Sequence, residues 1–511
     1  MNPGATLVGP VLEYPCASAY DRELCAQVRP PDWHNPQPRS CYDWLVIGGG
    51  PAGLTAARGA AALGASVALV ECHLLGGVSL NYGSVSSQAL IRTSRLYAEM
   101  RDASYYGTYP PTSIEVDFAL AMERMRRIRA RLARLSSATS IAALGIDLFF
   151  GTARFVRDDA IDLDGMRLSF KKALIATGSR SLLPTLPGLT EAGYLTNETV
   201  FDLTTLPASL LVIGGGPVGC ELAQAFCRFG SRTVIVHDEP LFLPTEERDA
   251  AQLLSAALAR DGIEMHLNTT AVAVRGDSGR KIVETVSDGD VGTVTADTVL
   301  TGIGRVPAVG GLDLEAAGVA FDTTTGIRVD DFLRTTSKRI FAAGDVCMEH
   351  PFVDTAHASA RIAVHNALCR GRQRLSRLTI PWCTYTDPEI AHVGLYVRQA
   401  RAQGIPIKTF TVPMHDVDRA IADGGEEGFV KIHVREGTDT ILGATIVARH
   451  AGEMINDLSL AMVAGIGLDT MARVIHAYPT QAEAVRKAAE ACRRRHRPQW
   501  RTWLQRWRGA R

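Results

Sequence analysis

Residues 42–71 read YDWLVIGGGPAGLTAARGAAALGASVALVE, and the fold follows from how this run is divided. Six mostly apolar residues suit a buried strand, three glycines a turn, and the alanine-rich run a helix; a second apolar strand then closes on Glu71. This is a βαβ unit. Gly48-x-Gly50-x-x-Gly53 falls between strand and helix, where absent side chains let the backbone approach a pyrophosphate and the helix N-terminus faces its charge. Glu71 stands about 20 residues further on, where a carboxylate suits the ribose hydroxyls of an adenosine.

The pattern returns at 208–238, ASLLVIGGGPVGCELAQAFCRFGSRTVIVHD, with Gly214-x-Gly216-x-x-Gly219 lying 166 residues beyond the first set. The position equivalent to Glu71 is His237, followed by Asp238. Without a carboxylate there, the 2'-phosphate of NADP is not repelled. No arginine stands beside it as a clamp, and Asp238 could serve NAD, so the sequence leans only slightly towards NADPH.

Outward from these units, 511 residues with 46% hydrophobic and 21% charged residues predict a globular chain of several domains. Formal net charge is zero, yet residues 492–511 carry eight arginines and no acid, leaving 46 basic against 54 acidic residues in the body. Ten cysteines at irregular separations, without CxxC or Cys/His ligand spacing, argue against a metal site or disulfide framework and fit a reducing cytoplasm. No leader pattern or long uninterrupted apolar run is seen, so a signal peptide or spanning helix is not expected.

Seven prolines in the first forty residues predict an extended arm, with regular structure beginning near Cys41. Residues 117–144, DFALAMERMRRIRARLARLSSATSIAAL, read as a helix with arginines around much of its circumference. Charge of this kind predicts a solvated helix covering the sheet rather than a nucleic-acid stripe. Beyond Leu378, the short alternating runs GFVKIHV and TILGATIVA and a helix around Leu458 to Gly465 predict an α+β terminal domain. In the tail, Trp500, Trp503, Leu504 and Trp507 share one helical face with arginines elsewhere. That pattern suits an anionic membrane surface, a protein partner or the chain's own acidic body, with nucleic acid the weakest reading.

The ordered set of both glycine turns, LGGVSLNYGSVSSQAL (75–90), ALIATGS (173–179), TGIGRVP (301–307), RIFAAGDV (339–346), YTDPEIAHVG (385–394) and YPTQAEA (478–484) resembles the pyridine nucleotide-disulfide oxidoreductases, in their mercuric reductase-like or dihydrolipoamide dehydrogenase-like branch. The resemblance spans residues 41 to about 490. It implies an α/β fold of two tandem Rossmann-type domains and a C-terminal α+β dimerisation domain. FAD would be held by 41–190 with 312–378, NAD(P)H by 191–311, and the homodimer by 379–490, between the arm 1–40 and the tail 491–511. Gly77, Thr177, Gly178, Gly344 and Asp345 would then border FAD, and Gly302 the NAD(P) site.

Three departures from the resemblance bear on chemistry. Ser79 and Ser84 stand where the family carries a cysteine pair that forms a disulfide beside the flavin; a hydroxyl neither ionises readily nor forms a disulfide. Gln88 takes the place of a lysine that pairs with a glutamate corresponding to Glu221. Tyr478 replaces a histidine base, while Glu483 is kept. The terminal paired cysteines that deliver mercury in mercuric reductases are absent. The expectation is an FAD-dependent NAD(P)H oxidoreductase that reduces flavin by hydride transfer and passes electrons straight to a small acceptor: a quinone, a metal species, oxygen or a second nicotinamide. Ser79 and Ser84 would line the acceptor face, with Tyr478 and Glu483 of the partner subunit delivering protons. A non-catalytic nucleotide-binding scaffold or redox sensor, and a biosynthetic flavoenzyme acting on a small organic substrate, are the alternatives.

Overall fold

The computed structural model describes residues 18–109 and 112–496. They form two compact units, one of residues up to 238 together with 263–378, the other of 239–262 together with residues from 379 onward.

The first unit opens on helix α1 (Ala19–Val28), started by a capping box in which Asp21 N donates to Ser18 Oγ at 3.0 Å and Ser18 N to Asp21 Oδ2 at 3.4 Å. This corrects the expectation of an extended arm up to residue 40. The box and the i, i+4 pair Leu24 and Val28, both fully buried, were present in the sequence, and the prolines at 30, 31, 36 and 38 follow the helix rather than interrupt it. Next come β1 (Tyr42–Ile47), α2 (Pro51–Ala62), β2 (Val67–Glu71), α3 (Gly77–Asn81), α4 (Ser84–Arg101) and α5 (Phe118–Ala133). The sheet continues with β3 (Asp147–Phe150), β4 (Ala153–Arg157), β5 (Ala160–Leu163) and β6 (Met166–Ile175), in the spatial order β3-β2-β1-β6-β5-β4; the short strand Ile340–Ala342 also pairs with β6.

Strands β3, β2, β1 and the end of β6 run parallel, which explains why β1 and β2 read as continuous apolar runs: both their faces are covered. Helix α2 lies close to the sheet because its inner face is Ala52, Gly53, Ala56, Ala57 and Ala60, all buried. Within 117–144 the helix is broken into α5, a 3-10 turn at Arg134–Ser136 and a short helix at Ala138–Ala142, and α5 is not the solvated cover expected from its charge. Arg126 and Arg129 are buried, with Arg129 only 1% exposed, and both pair with Asp21 of α1.

The second βαβ unit is built the same way: strand Ser209–Ile213, helix Pro217–Phe229 and strand Arg232–Val236, within a four-stranded parallel sheet. Three antiparallel strands over 269–296 follow.

The other unit is a five-stranded antiparallel sheet carrying helix Ala451–Val463, which starts earlier than the run around Leu458 suggested, and the helix Glu483–His496. Residues 239–262 pack here although they lie inside the stretch 191–311 read from sequence as one domain. Glu246 accepts hydrogen bonds from Tyr396 OH at 2.8 Å and Trp382 Nε1 at 3.2 Å, and Asp249 pairs with Lys431. Among the described residues no helix is long and apolar enough to cross a membrane. The tail tryptophans, and Cys16 of the arm, lie outside the described residues.

Candidate functional site

The first glycine turn is shaped by contacts that leave no room for side chains. Gly48 has φ +106°, and a Cβ there would sit 2.3 Å from the Ala176 carbonyl oxygen; one on Gly53 would meet the Gly48 carbonyl oxygen at 1.7 Å. Gly50 caps α2 and Pro51 occupies its first turn, with a pre-set φ and no N–H to leave unpaired. Gly77, at φ +59°, brings α3 so close that its Cβ would lie 2.8 Å from Gly50 Cα. Glu71 is buried at the end of β2, its Oε2 accepting from Gly49 N at 2.6 Å and its Oε1 from His73 N at 2.7 Å. The turn thus presents α2's N-terminus and a carboxylate oriented by two backbone amides, a cradle that fits a dinucleotide's diphosphate and ribose.

Asp345 and Gly344 stand beside this turn. Gly344 (φ +77°) approaches Ala52 of α2 so closely that a Cβ would lie 3.1 Å from Ala52 Cβ, and its N–H donates to Ser359 Oγ. Asp345 Oδ2 accepts from Ser179 Oγ at 2.6 Å, and Ser179 Oγ accepts from Arg305 Nε at 2.8 Å. Thr177 Oγ1 is committed to the Ala308 carbonyl at 2.7 Å. Reading by motif singled out Thr177, Gly178 and Asp345 but missed Ser179 and Arg305, which lie inside the quoted runs ATGS and TGIGRVP. Only their pairing in space reveals the Arg305–Ser179–Asp345 chain.

The loop between β2 and α4 carries the two serines. Ser79 Oγ and Ser84 Oγ are 3.2 Å apart and share one hydrogen bond, Ser79 half-buried and Ser84 exposed. Between them Asn81 is fully buried, its Nδ2 donating to the Leu75 and Gly77 carbonyls. Gln88 is half-buried on α4, which packs against the helix Pro217–Phe229 through Tyr97 and Phe229. Glu221 is buried on that second helix.

In the second glycine turn a Cβ on Gly219 would meet the Gly214 carbonyl oxygen at 2.2 Å, and one on Gly214 the Gly302 carbonyl oxygen at 2.5 Å. Gly216 caps the helix. His237 Nδ1 accepts from Gly215 N at 3.3 Å, the same backbone bond that Glu71 makes with Gly49 in the first fold, and Asp238 is mostly exposed. An imidazole therefore does the acid's structural work there without its charge.

Tyr478 and Glu483 belong to the other unit and line one cleft of about 360 Å³ with Val474, Ile475 and Arg486. Tyr478 is exposed; its OH donates to Asp418 Oδ2 at 2.7 Å, and that bond and charge raise its pKa above the usual phenol value. Glu483 is buried, with Oε1 bound by Arg486 at 2.8 Å. Burial pushes the thiols of Cys220 and Cys347 well above the usual value and that of Cys492 to about 11, so none of these three is held as a thiolate. Among the described residues no group of three or more His, Cys, Asp or Glu is arranged to hold a metal ion.

The family model described as pyridine nucleotide-disulphide oxidoreductase matches residues 42–364, and that for the dimerisation domain of the same family matches 380–489. The chain is similar to a mercuric reductase of Streptomyces lividans, 35% identical over 89% of this chain and 97% of that protein. It is also similar to a dihydrolipoyl dehydrogenase of Bacillus subtilis (strain 168), 33% identical over 88% and 96%. Among solved structures, LpdA of Mycobacterium tuberculosis superposes with TM-score 0.80 at 28% identity, over 88% of this chain and 99% of that one. The HOCl-induced flavoprotein disulfide reductase RclA of Escherichia coli does so at 0.78 and 27%, over the same shares.

Proposed function

Because the chain belongs to the pyridine nucleotide-disulphide oxidoreductase family, whose members bind FAD and NAD(P)H, we propose that it is an FAD-dependent NAD(P)H oxidoreductase that serves a small acceptor without a disulfide relay at residues 79 and 84. The observation that carries this reading is the Ser79–Ser84 hydroxyl pair at 3.2 Å on the loop next to the first glycine turn. FAD, when bound, supplies the redox chemistry, taking two electrons from NAD(P)H and yielding them to an acceptor. Both serines can orient an acceptor by hydrogen bonding; neither can store electrons. Gly48, Gly50, Gly53 and Gly77 with Glu71 would hold the diphosphate and ribose of FAD, and Asp345, steadied through Ser179 by Arg305, its ribitol side, with Thr177 and Gly178 alongside.

Gly214, Gly216, Gly219 and Gly302 would take NAD(P)H, and an imidazole, His237, in place of a carboxylate favours NADPH. Gln88, on the helix packed against the one that carries Glu221, offers no fixed positive charge to the flavin. In the homodimer, Tyr478 and Glu483 would face the partner's site. Tyr478 keeps its one hydroxyl proton directed at its Asp418 partner, so it offers the partner's site a hydrogen-bond-accepting oxygen rather than a base. Relatives named for mercury or lipoyl substrates do not fix the acceptor, which is a quinone, a metal species, oxygen or a second nicotinamide.

Anaerobic titration of the purified yellow protein tests the reading. Bleaching by NADPH or NADH without a long-wavelength thiolate-to-flavin band, and with thiol titre unchanged on reduction, is the expected result. A rise of two titratable thiols on reduction would exclude it.

A further inference from the structure

Residues 18–40 precede the first family match, yet their contacts converge on residues 72–81, the run that joins Glu71 to the serine pair. The Val28 carbonyl accepts from Leu75 N at 3.2 Å. Arg29 Nη1 donates to the carbonyls of Cys72 at 2.6 Å and His73 at 2.9 Å. The Asp21 carboxylate, 4% exposed, holds Arg129 Nη2 at 2.7 Å, and Arg129 Nη1 donates to the Asn81 carbonyl at 2.8 Å. Leu24 and Val28 share a core with Leu74, Leu75 and Leu80. The far end of the segment is fastened to β3, the edge of the sheet. Asn35 exchanges two 2.8 Å hydrogen bonds with the Phe150 backbone, Trp33 Nε1 donates to the Leu148 carbonyl, and Arg39 pairs with Asp147.

We propose that residues 18–40 form a strap that fixes the loop 72–84 against the first glycine turn, with Asp21 and Arg29 as positioning residues for FAD. The carbonyls that Arg29 grips immediately follow Glu71, whose carboxylate is itself tied to His73 N and Gly49 N, so a shift at 72–73 displaces the carboxylate from the glycine turn. At the loop's other end, the Asp21–Arg129 pair is buried, and breaking either partner strands a charge, so this chain of contacts has one favourable arrangement. A single hydroxyl–hydroxyl hydrogen bond gives the loop no covalent brace of its own. The strap supplies a non-covalent brace from residues that precede the family match.

The inference rests on the first fold holding FAD. It is tested on the full-length chain with Arg29→Ala, Arg29→Lys and Asp21→Asn, and with Lys171→Ala as a control in an exposed ion pair with Asp43 outside the strap. FAD dissociation constants of the apoproteins, their urea midpoints and the visible circular dichroism of bound flavin are measured together. Arg29→Ala should weaken FAD about tenfold through lost preorganisation and alter the flavin dichroism. Arg29→Lys should recover part of both, and Lys171→Ala should bind as wild type with a similar urea midpoint. Wild-type affinity in both Arg29→Ala and Asp21→Asn, or equal losses in Arg29→Ala and Lys171→Ala, overturns the strap alone. A wild-type chain that takes up no FAD overturns the strap and the cofactor reading together.

Discussion

Ser79 and Ser84 decide what chemistry the loop supports, and their contact is a weak one, since a neutral hydrogen bond contributes about 1 kcal/mol net. Replacing both with cysteine should install what the hydroxyls lack: the double variant is expected to gain two titratable thiols on reduction with NAD(P)H, together with a long-wavelength flavin band. Ser79→Ala should leave turnover within about threefold, because surface-side changes of one weak hydrogen bond are small. Loss of all activity in Ser79→Ala, read in steady-state assays, would show that the hydroxyl takes part in the chemistry. Glu71 is different in kind, because both its oxygens accept from backbone amides, that of Gly49 buried and that of His73 part-buried. Glu71→Ala should lower apoprotein stability by about 1–3 kcal/mol, measured by urea unfolding, and should release FAD.

Between residues and domains, the βαβ units explain which positions tolerate change. His237 ends the second unit where Glu71 ends the first, and each is bonded by the second glycine of its turn. His237→Glu keeps an acceptor for Gly215 N and adds a negative charge, so the ratio of kcat/KM for NADPH to that for NADH should fall about tenfold, the scale of one unfavourable charge contact. An unchanged ratio would place the 2'-phosphate elsewhere. Behind the serine loop, α1 and α5 close over a polar cluster of Asp21, Arg126, Arg129 and Asp202. Burial raises the Asp202 carboxyl to about 6, Arg129 opposing the shift, Asp21 adding to it and Arg126 opposing it. The folded state therefore binds this proton more tightly than the unfolded chain, whose carboxyl titrates near 4. The stabilisation from Asp202 is complete below about pH 4 and is lost as pH rises to about 6. Asp202→Asn should flatten the stability profile across that window by about 1–3 kcal/mol, seen in urea unfolding at pH 4 and 7; an unaltered profile would assign the titration to another group.

At the scale of the whole molecule, the unit that matches the dimerisation domain leaves Val474 51%, Ile475 95% and Tyr478 70% exposed around the cleft holding Glu483. Apolar side chains grouped in this way mark a surface that associates. Ile475→Asp should convert the homodimer to monomer in light scattering, with FAD retained and turnover lost if Tyr478 and Glu483 act on the partner's flavin. A monomer of full activity would remove both residues from the site. The same unit also claims residues 239–262, through Glu246 and Asp249.

The sequence by itself determined the two nucleotide folds, their glycine turns, the acid in one and the imidazole in the other, and the absence of cysteine from the loop 75–90. Those features are local: strand, turn and helix signals lie within thirty residues, and each glycine answers to backbone a few positions away or to the strand beside it. What only the tertiary structure decided is where charge is buried and which segments are neighbours. An arginine-rich helix reads as solvated until Asp21, more than a hundred residues earlier, is found beneath it. Arg305, Ser179 and Asp345 read as three separate motifs until folding sets them in one chain of hydrogen bonds. The proline-rich opening reads as a loose arm because its partners, the Cys72, His73, Leu148 and Phe150 backbones, are supplied by a sheet edge and a loop with no local signature. Long-range electrostatic pairing and edge capping leave no periodicity in a chain, so their energy becomes visible only once the fold has brought the groups together.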